Sequence, residues 1–261
     1  MCDTCGCSIT PANAHLVKAD GKLERTSGGK ASIEVLAGLL HENDHQAAHN
    51  REHFERHGVL ALNLMSSPGS GKTALLEATI KALSDELSIA VVEGDLETEN
   101  DAERIRALGV PAVQITTGQA CHLDAHMVHD ALHEMDLDGI DVLFIENVGN
   151  LVCPASFDLG HHINVTLLSV TEGDDKPFKY PAIFSRAAVT VITKVDLLPH
   201  LSFDVERART QVETLNPGAS FLLTSAETGQ GIEALGKLLE DRLAKKRREI
   251  PVSKSAAVAR R

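Results

Sequence analysis

The chain has no tryptophan, a single tyrosine and only 3% aromatic residues. Its core must therefore be aliphatic, and it has too few rings for a base-stacking platform or an aromatic cage. Positive charge is also short. Against 37 Asp and Glu stand 25 Lys and Arg, a net charge of −12, which argues against a partner with a phosphate backbone such as nucleic acid. Seven of the basic residues and one Glu fall from Lys245 onward, so residues 1–244 carry −18. No apolar signal stretch opens the sequence and no run approaches 18 apolar residues, so neither secretion nor membrane insertion is expected and a cytoplasmic location is. Cysteine is scarce, and its count of 5 is odd. A full disulfide framework is not expected, and the thiols need another explanation.

What is present divides into four stretches. Residues 1–30 have no apolar periodicity and read as a flexible leader with a cysteine cluster at its tip. Residues 31–58 read as a His-rich helix: Ile33, Leu36, Leu39 and Leu40 sit at helical spacing, no proline intervenes, and Gly58 supplies a stop. From 59 to 248, short apolar runs alternate with amphipathic stretches. Strands are expected at 59–65, 89–92, 112–115, 140–145, 163–170, 189–192 and 221–223, and helices at 73–87, 99–108, 123–135, 203–215 and 232–248. That alternation implies an α/β fold with a mostly parallel sheet and helices on both faces, its ligand site beyond the carboxyl ends of the strands. Residues 249–261 form a basic tail, read as a solvated terminus.

The first expected strand runs directly into Ser66-Ser67-Pro68-Gly69-Ser70-Gly71-Lys72-Thr73, which opens a helix. Successive backbone N–H groups of such a loop, at Gly69, Ser70 and Gly71, point inward at nucleotide phosphates. Lys72 reaches the terminal phosphates and Thr73 offers its hydroxyl to Mg²⁺. The general pattern has glycine where this chain has Ser66; the strand–loop–helix context argues against an ordinary Gly/Ser turn. Two strand ends supply carboxylates. Asp95, in Glu93-Gly94-Asp95, is a candidate for Mg²⁺ or for polarising the attacking water. Glu146, in Glu146-Asn147-Val148-Gly149, takes the metal-side carboxylate position, with the Gly149 N–H available to the γ-phosphate. Further on, Thr193-Lys194-Val195-Asp196 follows a strand. Asp196 can accept the N1–H and N2–H₂ protons of guanine, where adenine would leave the carboxylate unpaired, and the stem of Lys194 can cover the base. Thr193 stands where guanine sites usually carry Asn. Ser225-Ala226 follows the last strand, as in a closing guanine loop. Together these define a GTP site.

The thiols fall in two groups. Cys2, Cys5 and Cys7 lie within six residues, and cleavage of Met1 would add an amine; such an S₃N set suits square-planar Ni²⁺ or tetrahedral Zn²⁺. Cys121-His122 and Cys153 form a second candidate site. Neighbouring helical side chains diverge by about 100°, so the Cys-His pair is expected at a loop or helix start. Three ligands leave a position for a water or for a symmetric dimer to fill. Histidines 41, 45, 49, 53 and 57 recur every four residues, and adjacent pairs can chelate a divalent ion. His126, His129 and His133 repeat the spacing weakly and read as a solvated face.

On Cys2-x-x-Cys5-Gly6-Cys7, residues 62–73, Cys121-His122 and Glu146-Asn147-Val148-Gly149-Asn150-Leu151-Val152-Cys153-Pro154, the chain resembles the hydrogenase nickel-incorporation GTPases, the HypB family. These belong to the P-loop class that also holds the urease nickel-chaperone GTPases. The resemblance covers residues 1–7 and about 31–245. It implies a slow GTPase using GTP/GDP and Mg²⁺, with a tight nickel site at Cys2, Cys5 and Cys7. It also implies a weaker zinc or nickel site at Cys121, His122 and Cys153, lying at a GTP-dependent homodimer interface. HypA would be the accessory partner and the hydrogenase large subunit the recipient of Ni²⁺. The histidines from 41 to 57 resemble a reduced version of the family's nickel-storing segments. The competing expectations are a metal-storage protein with a vestigial nucleotide site, a GTPase serving urease, and an ATP-preferring kinase.

Overall fold

The computed structural model describes residues 30–95, 100–118 and 120–249, with side chains from Leu40 onward. The leader with Cys2, Cys5 and Cys7, and the tail from 250 on, lie outside the described residues. Seven strands form one parallel sheet in the order β3-β2-β4-β1-β5-β6-β7. In chain order they are β1 (Leu60–Ser66), β2 (Ile89–Asp95), β3 (Ala112–Thr116), β4 (Val142–Glu146), β5 (Ile163–Ser169), β6 (Val189–Thr193) and β7 (Ser220–Leu223). Helices α1 (Lys30–His57), α2 (Lys72–Leu83), α3 (Asn100–Arg106), α4 (Ala125–His133), α5 (Lys176–Lys179), α6 (Pro181–Arg186), α7 (Val205–Leu215) and α8 (Ile232–Glu249) cover it. Strands β2, β3 and β4 lie on one side of β1, with β4 inserted beside it, and β5, β6 and β7 lie on the other. The crevice above the end of β1 is thus the switch point at which such sheets bind ligands.

Strand alternation sorts the core. Leu60, Leu62 and Leu64 of β1 face one side, joining Leu75, Leu76, Ile80 and Leu83 of α2 and Leu235, Leu239 and Leu243 of α8. Val59 and Ala61 face the other, against Phe54 of α1 and Val128 and Leu132 of α4. A third cluster, around Met65, Leu168, Phe184 and Ile192, closes the β5–β6 edge. All seven expected strands form. Several run past their apolar runs, among them β2 to Asp95 and β4 to Glu146, so the carboxylates lie within the strand ends rather than after them. Asp124, accepting from the Met127 N–H at 2.9 Å, starts α4 two residues later than the apolar pattern suggests. Helices α5 and α6, of 4 and 6 residues, are too short to show a period in the sequence.

Helix α1 ends as read. Gly58 takes a left-handed φ of 72°, and the Val59 N–H returns to the Phe54 carbonyl at 2.9 Å. Its buried face is Asn43, Ala47, Asn50 and Phe54. The two asparagines have specific tasks. Asn43 Oδ1 accepts from the Ala125 N–H at 2.9 Å, and its Nδ2 donates to the Asp158 carbonyl at 2.8 Å. Asn50 Nδ2 donates to the carbonyls of Ala125, at 2.8 Å, and Leu159, at 3.2 Å. Arg51 adds an ion pair with Asp158 at 2.9 Å. The helix is thereby bonded to the start of α4 and to the loop before β5.

Candidate nucleotide and metal sites

The loop after β1 curls through two left-handed glycines, Gly69 at φ 72° and Gly71 at φ 88°, a conformation that a Cβ would strain. Ser66, in place of the expected glycine, is fully buried, and its Oγ accepts from Lys72 Nζ at 3.1 Å. Ser70 Oγ lies 2.7 Å from both the Ser67 carbonyl and Glu172 Oε1, so this hydroxyl ties the loop to the segment after β5. The loop floors a cleft of about 360 Å³ lined by Lys72, Thr73, Glu93, Asp95, Asp101 and Glu146, among others. A larger groove, about 770 Å³, runs between α2 and α8; its lining lacks the phosphate-loop residues and their carboxylates.

Register creates the acidic wall of the cleft. Leu64 of β1 and Glu93 of β2 both lie opposite Glu146 of β4, so the two glutamates stand side by side. Asp101, from α3, joins them; ligand oxygens of Glu93, Asp101 and Glu146 all lie within 4.8 Å. Thr73 Oγ1 bonds Glu146 Oε1 at 2.9 Å and Asp101 Oδ2 at 3.1 Å, and Lys72 Nζ is 3.9 Å from Glu146 Oε1. Burial, then the charge of Glu146, pushes Glu93 far above the usual carboxylate range. Glu146 is also raised by burial, opposed by Lys72. Glu93 Oε2 and Glu146 Oε2 are buried with no hydrogen-bond partner, acceptors that a proton or a cation would satisfy. Asp95 lines the same cleft but is not one of the clustered three. Glu93 and Asp101 are, and sequence reasoning had assigned neither.

The base-side residues converge on the same loop. Thr193, in the place of the usual Asn, donates from Oγ1 to the Ser70 carbonyl at 2.6 Å, so its hydroxyl reaches the phosphate loop. Lys194 holds a left-handed φ of 58° and donates from Nζ to the Gly69 carbonyl at 2.7 Å. Asp196 Oδ1 receives the Ser225 hydroxyl at 2.5 Å, and Ala226 follows beside it. A carboxylate so oriented leaves its second oxygen for a ligand.

Cys121 and His122 lie in a bend just before α4, and Cys153 opens a single 3₁₀ turn, Cys153–Ser156. The fold brings these three side chains within 4.8 Å. The two sulfurs are 2.9 Å apart, and His122 Nδ1 is 3.8 Å from Cys121 Sγ. Burial holds His122 below the usual imidazole value, so its lone pair is available at neutral pH. Its ring stacks on Phe157 at 3.9 Å, and Asn150 Nδ2 donates to Cys153 Sγ at 3.3 Å.

Asn147 joins the two sites. Its Oδ1 accepts from the N–H groups of Leu123 and Val148, each at 3.0 Å, and its Nδ2 donates to Asn63 Oδ1 of β1 at 3.1 Å. Leu123 directly follows His122 and fills the space above Gly94, where a Cβ would lie 2.8 Å from it. Gly149 presses on the phosphate loop so closely that a Cβ would lie 2.8 Å from Pro68 Cα. The segment from Glu146 to Cys153 thus touches the phosphate loop at one end and carries a thiol at the other.

A parallel sheet with a glycine loop at its switch point, a lysine–threonine pair and a buried carboxylate wall defines a P-loop nucleotide-binding protein. The family model described as "CobW/HypB/UreG, nucleotide-binding domain" matches residues 60–223. The hydrogenase maturation factor HypB of Rhizobium leguminosarum bv. viciae is 55% identical over 208 residues, 80% of this chain and 70% of that one. Among solved structures, HypB from Helicobacter pylori in complex with nickel matches with a TM-score of 0.75 and 43% identity, over 78% of this chain and 96% of that one. HypB from Archaeoglobus fulgidus matches with a TM-score of 0.74 and 42% identity, over 78% of this chain and all of the other. The chain belongs to the HypB family of hydrogenase maturation factors. Among the described residues no helix is long and apolar enough to cross a membrane.

Proposed function

We propose that this chain is a GTP-hydrolysing nickel carrier that assists insertion of Ni²⁺ into a hydrogenase, with metal release governed by the nucleotide. The observation that supports it most is the physical continuity from Glu146 to Cys153 through Asn147 and Gly149. Gly69, Ser70, Gly71 and the ammonium of Lys72 hold the phosphates; Asp196, Lys194, Ser225 and Ala226 hold guanine. Thr73, Asp101 and Glu146, with Glu93 behind them, suit Mg²⁺, a hard cation that takes oxygen ligands. When bound, Mg²⁺ supplies charge neutralisation at the terminal phosphates. Asp95, at the cleft edge, is the chain's candidate for orienting the attacking water.

Cys121, His122 and Cys153 offer soft and borderline donors suited to Ni²⁺ or Zn²⁺, with a position left for water or for a second copy of the chain. Cys2, Cys5 and Cys7 are proposed as the tighter nickel site, and HypA and the hydrogenase large subunit as the proteins on either side of the transfer. GTP contacts at Gly149 would set the position of Cys153; loss of the γ-phosphate releases that segment and changes the ligand geometry. Equilibrium dialysis with Ni²⁺ tests this. Affinity at the 121/122/153 site should differ severalfold between a non-hydrolysable GTP analogue and GDP, and Cys153→Ala should abolish the difference. Equal affinity in both nucleotide states would sink the coupling. A second measurement, GTP turnover against ATP turnover, separates this reading from storage and from kinase activity.

A further inference from the structure

The histidines of α1 and those of α4, which the sequence presents as unrelated, meet in space. His129 and His133, one turn apart on α4, point their Nε2 atoms at each other at 3.0 Å, rings 4.5 Å apart and perpendicular. His49 of α1 approaches His129 edge-on at 5.1 Å between ring centres. His53, one turn further along α1, pairs with His57 at 4.9 Å and feels the charges of both His129 and His133. His129 Nδ1 is buried with no hydrogen-bond partner.

We propose that His129 and His133 of α4, together with His49 of α1 and with His53 beside them, form a divalent transition-metal site that bridges the two helices. The distances fit. Imidazole nitrogens sit about 2.0–2.1 Å from Ni²⁺ or Zn²⁺, so two on one ion at 90–109° lie roughly 3.0–3.4 Å apart. The α4 pair already has that separation; His49, edge-on to His129 at 5.1 Å between ring centres, would have to turn its ring to deliver a third nitrogen. The protonation state fits as well. Burial first, and the neighbouring imidazoles next, hold His53 and His129 below the ordinary value, so they carry lone pairs at neutral pH. The groups facing the cluster are Arg56 on α1 and Asp130 and His126 on α4. Borderline imidazole donors select Ni²⁺, Cu²⁺ or Zn²⁺ over Mg²⁺ or Ca²⁺. The site is chemically distinct from the thiol trio and rests on imidazole geometry alone, so it stands whether or not the chain hydrolyses GTP. It also differs from chelation by neighbouring pairs along α1: among the described ring contacts, His49 meets His129 across the helices, and none involves His41 or His45.

The test titrates the full-length chain with Ni²⁺, and separately with Zn²⁺, at pH 7.5. Every variant keeps all cysteines, so their ions cancel in the comparison. The wild-type chain should bind one more ion than H129Q/H133Q. H49Q should weaken that ion's binding about tenfold, and H41Q/H45Q should leave it unchanged. The proposal is overturned if H129Q/H133Q binds as many ions as the wild type with the same affinity, or if H41Q/H45Q removes the ion instead. A measurement on the unmodified chain guards against misfolded variants: Ni²⁺ should slow amide exchange in residues 49–57 and 126–133 together. Protection confined to one helix would also overturn it.

Discussion

The phosphate loop and the thiol–imidazole trio stand on the same sheet but are shaped differently. The loop is shaped mainly from within: Gly69 and Gly71 turn the backbone and Ser66 receives Lys72, all inside eight consecutive residues, while Glu172, Thr193 and Lys194 brace it from outside. The trio is shaped by others. Cys121 and Cys153 are 32 residues apart, and their positions depend on Asn147 holding Leu123, on Phe157 stacking against His122, and on α1 bonding Ala125 and Asp158. A loop shaped mainly from within tolerates rearrangement around it; a site assembled from two loops moves when either loop moves. That dependence suits the trio to a response and the loop to constancy.

The contrast can be broken at its stiff end first. Lys72→Ala removes the cation facing the terminal phosphates and should lower GTP turnover about 10³-fold, measured by phosphate release, with little change in metal content. Acid comes next. His161 and His162 are held at about 4 by burial, against an ordinary 6.5, with the charge of Asp158 opposing at His161 and that of Lys246 adding at His162. Both stay neutral in the folded chain while the unfolded chain takes up protons. Stability should therefore fall as pH drops from about 6.5 towards 4, by up to about 6 kcal/mol for the pair, read from denaturant midpoints. A flat profile over that window would contradict their burial.

Asn147→Leu leaves the Leu123 N–H and Asn63 without their partner. It should cost about 1–3 kcal/mol and weaken Ni²⁺ binding at the trio about tenfold, while residual GTP binding survives. If metal affinity stayed at the wild-type value, Asn147 would be a packing residue only. The smallest effect belongs to Gly149→Ala. Its Cβ would meet Pro68, so nucleotide affinity should fall about tenfold, and the metal response to nucleotide should fade with it.

Legibility in the sequence follows the same division. The phosphate loop was readable because strand, turn and helix are contiguous, and the seven strands because their apolar runs are. Glu93 was not singled out because only parallel register, Glu93 opposite Glu146, makes it part of a pair. Asp101 arrives from α3, across a gap that no local spacing describes. The trio could be singled out from its scarce thiols, and the resemblance supports it; that the three meet in space is what periodicity cannot show. Asn43 and Asn50 lie in no motif, and Asn147 lies in one without a task of its own, since a buried amide looks like any polar residue until its partners are known. The α4 histidines read as a solvated face because the rotation of α4 against α1 is set by packing of Val128 and Leu132, not by the spacing of the rings.

Helix α1 has a practical consequence for anyone who trims this protein. A cut at Gly58 looks clean, since it falls at a helix stop just before the first strand. It would strip Asn43 from the first turn of α4, Asn50 from the carbonyls of Ala125 and Leu159, and Phe54 from the core beneath them. The shortened chain would keep a nucleotide pocket and lose the splint that sets the Cys121–His122 loop against the Cys153 loop. Catalysis measured on it would speak for the intact molecule; metal binding would not.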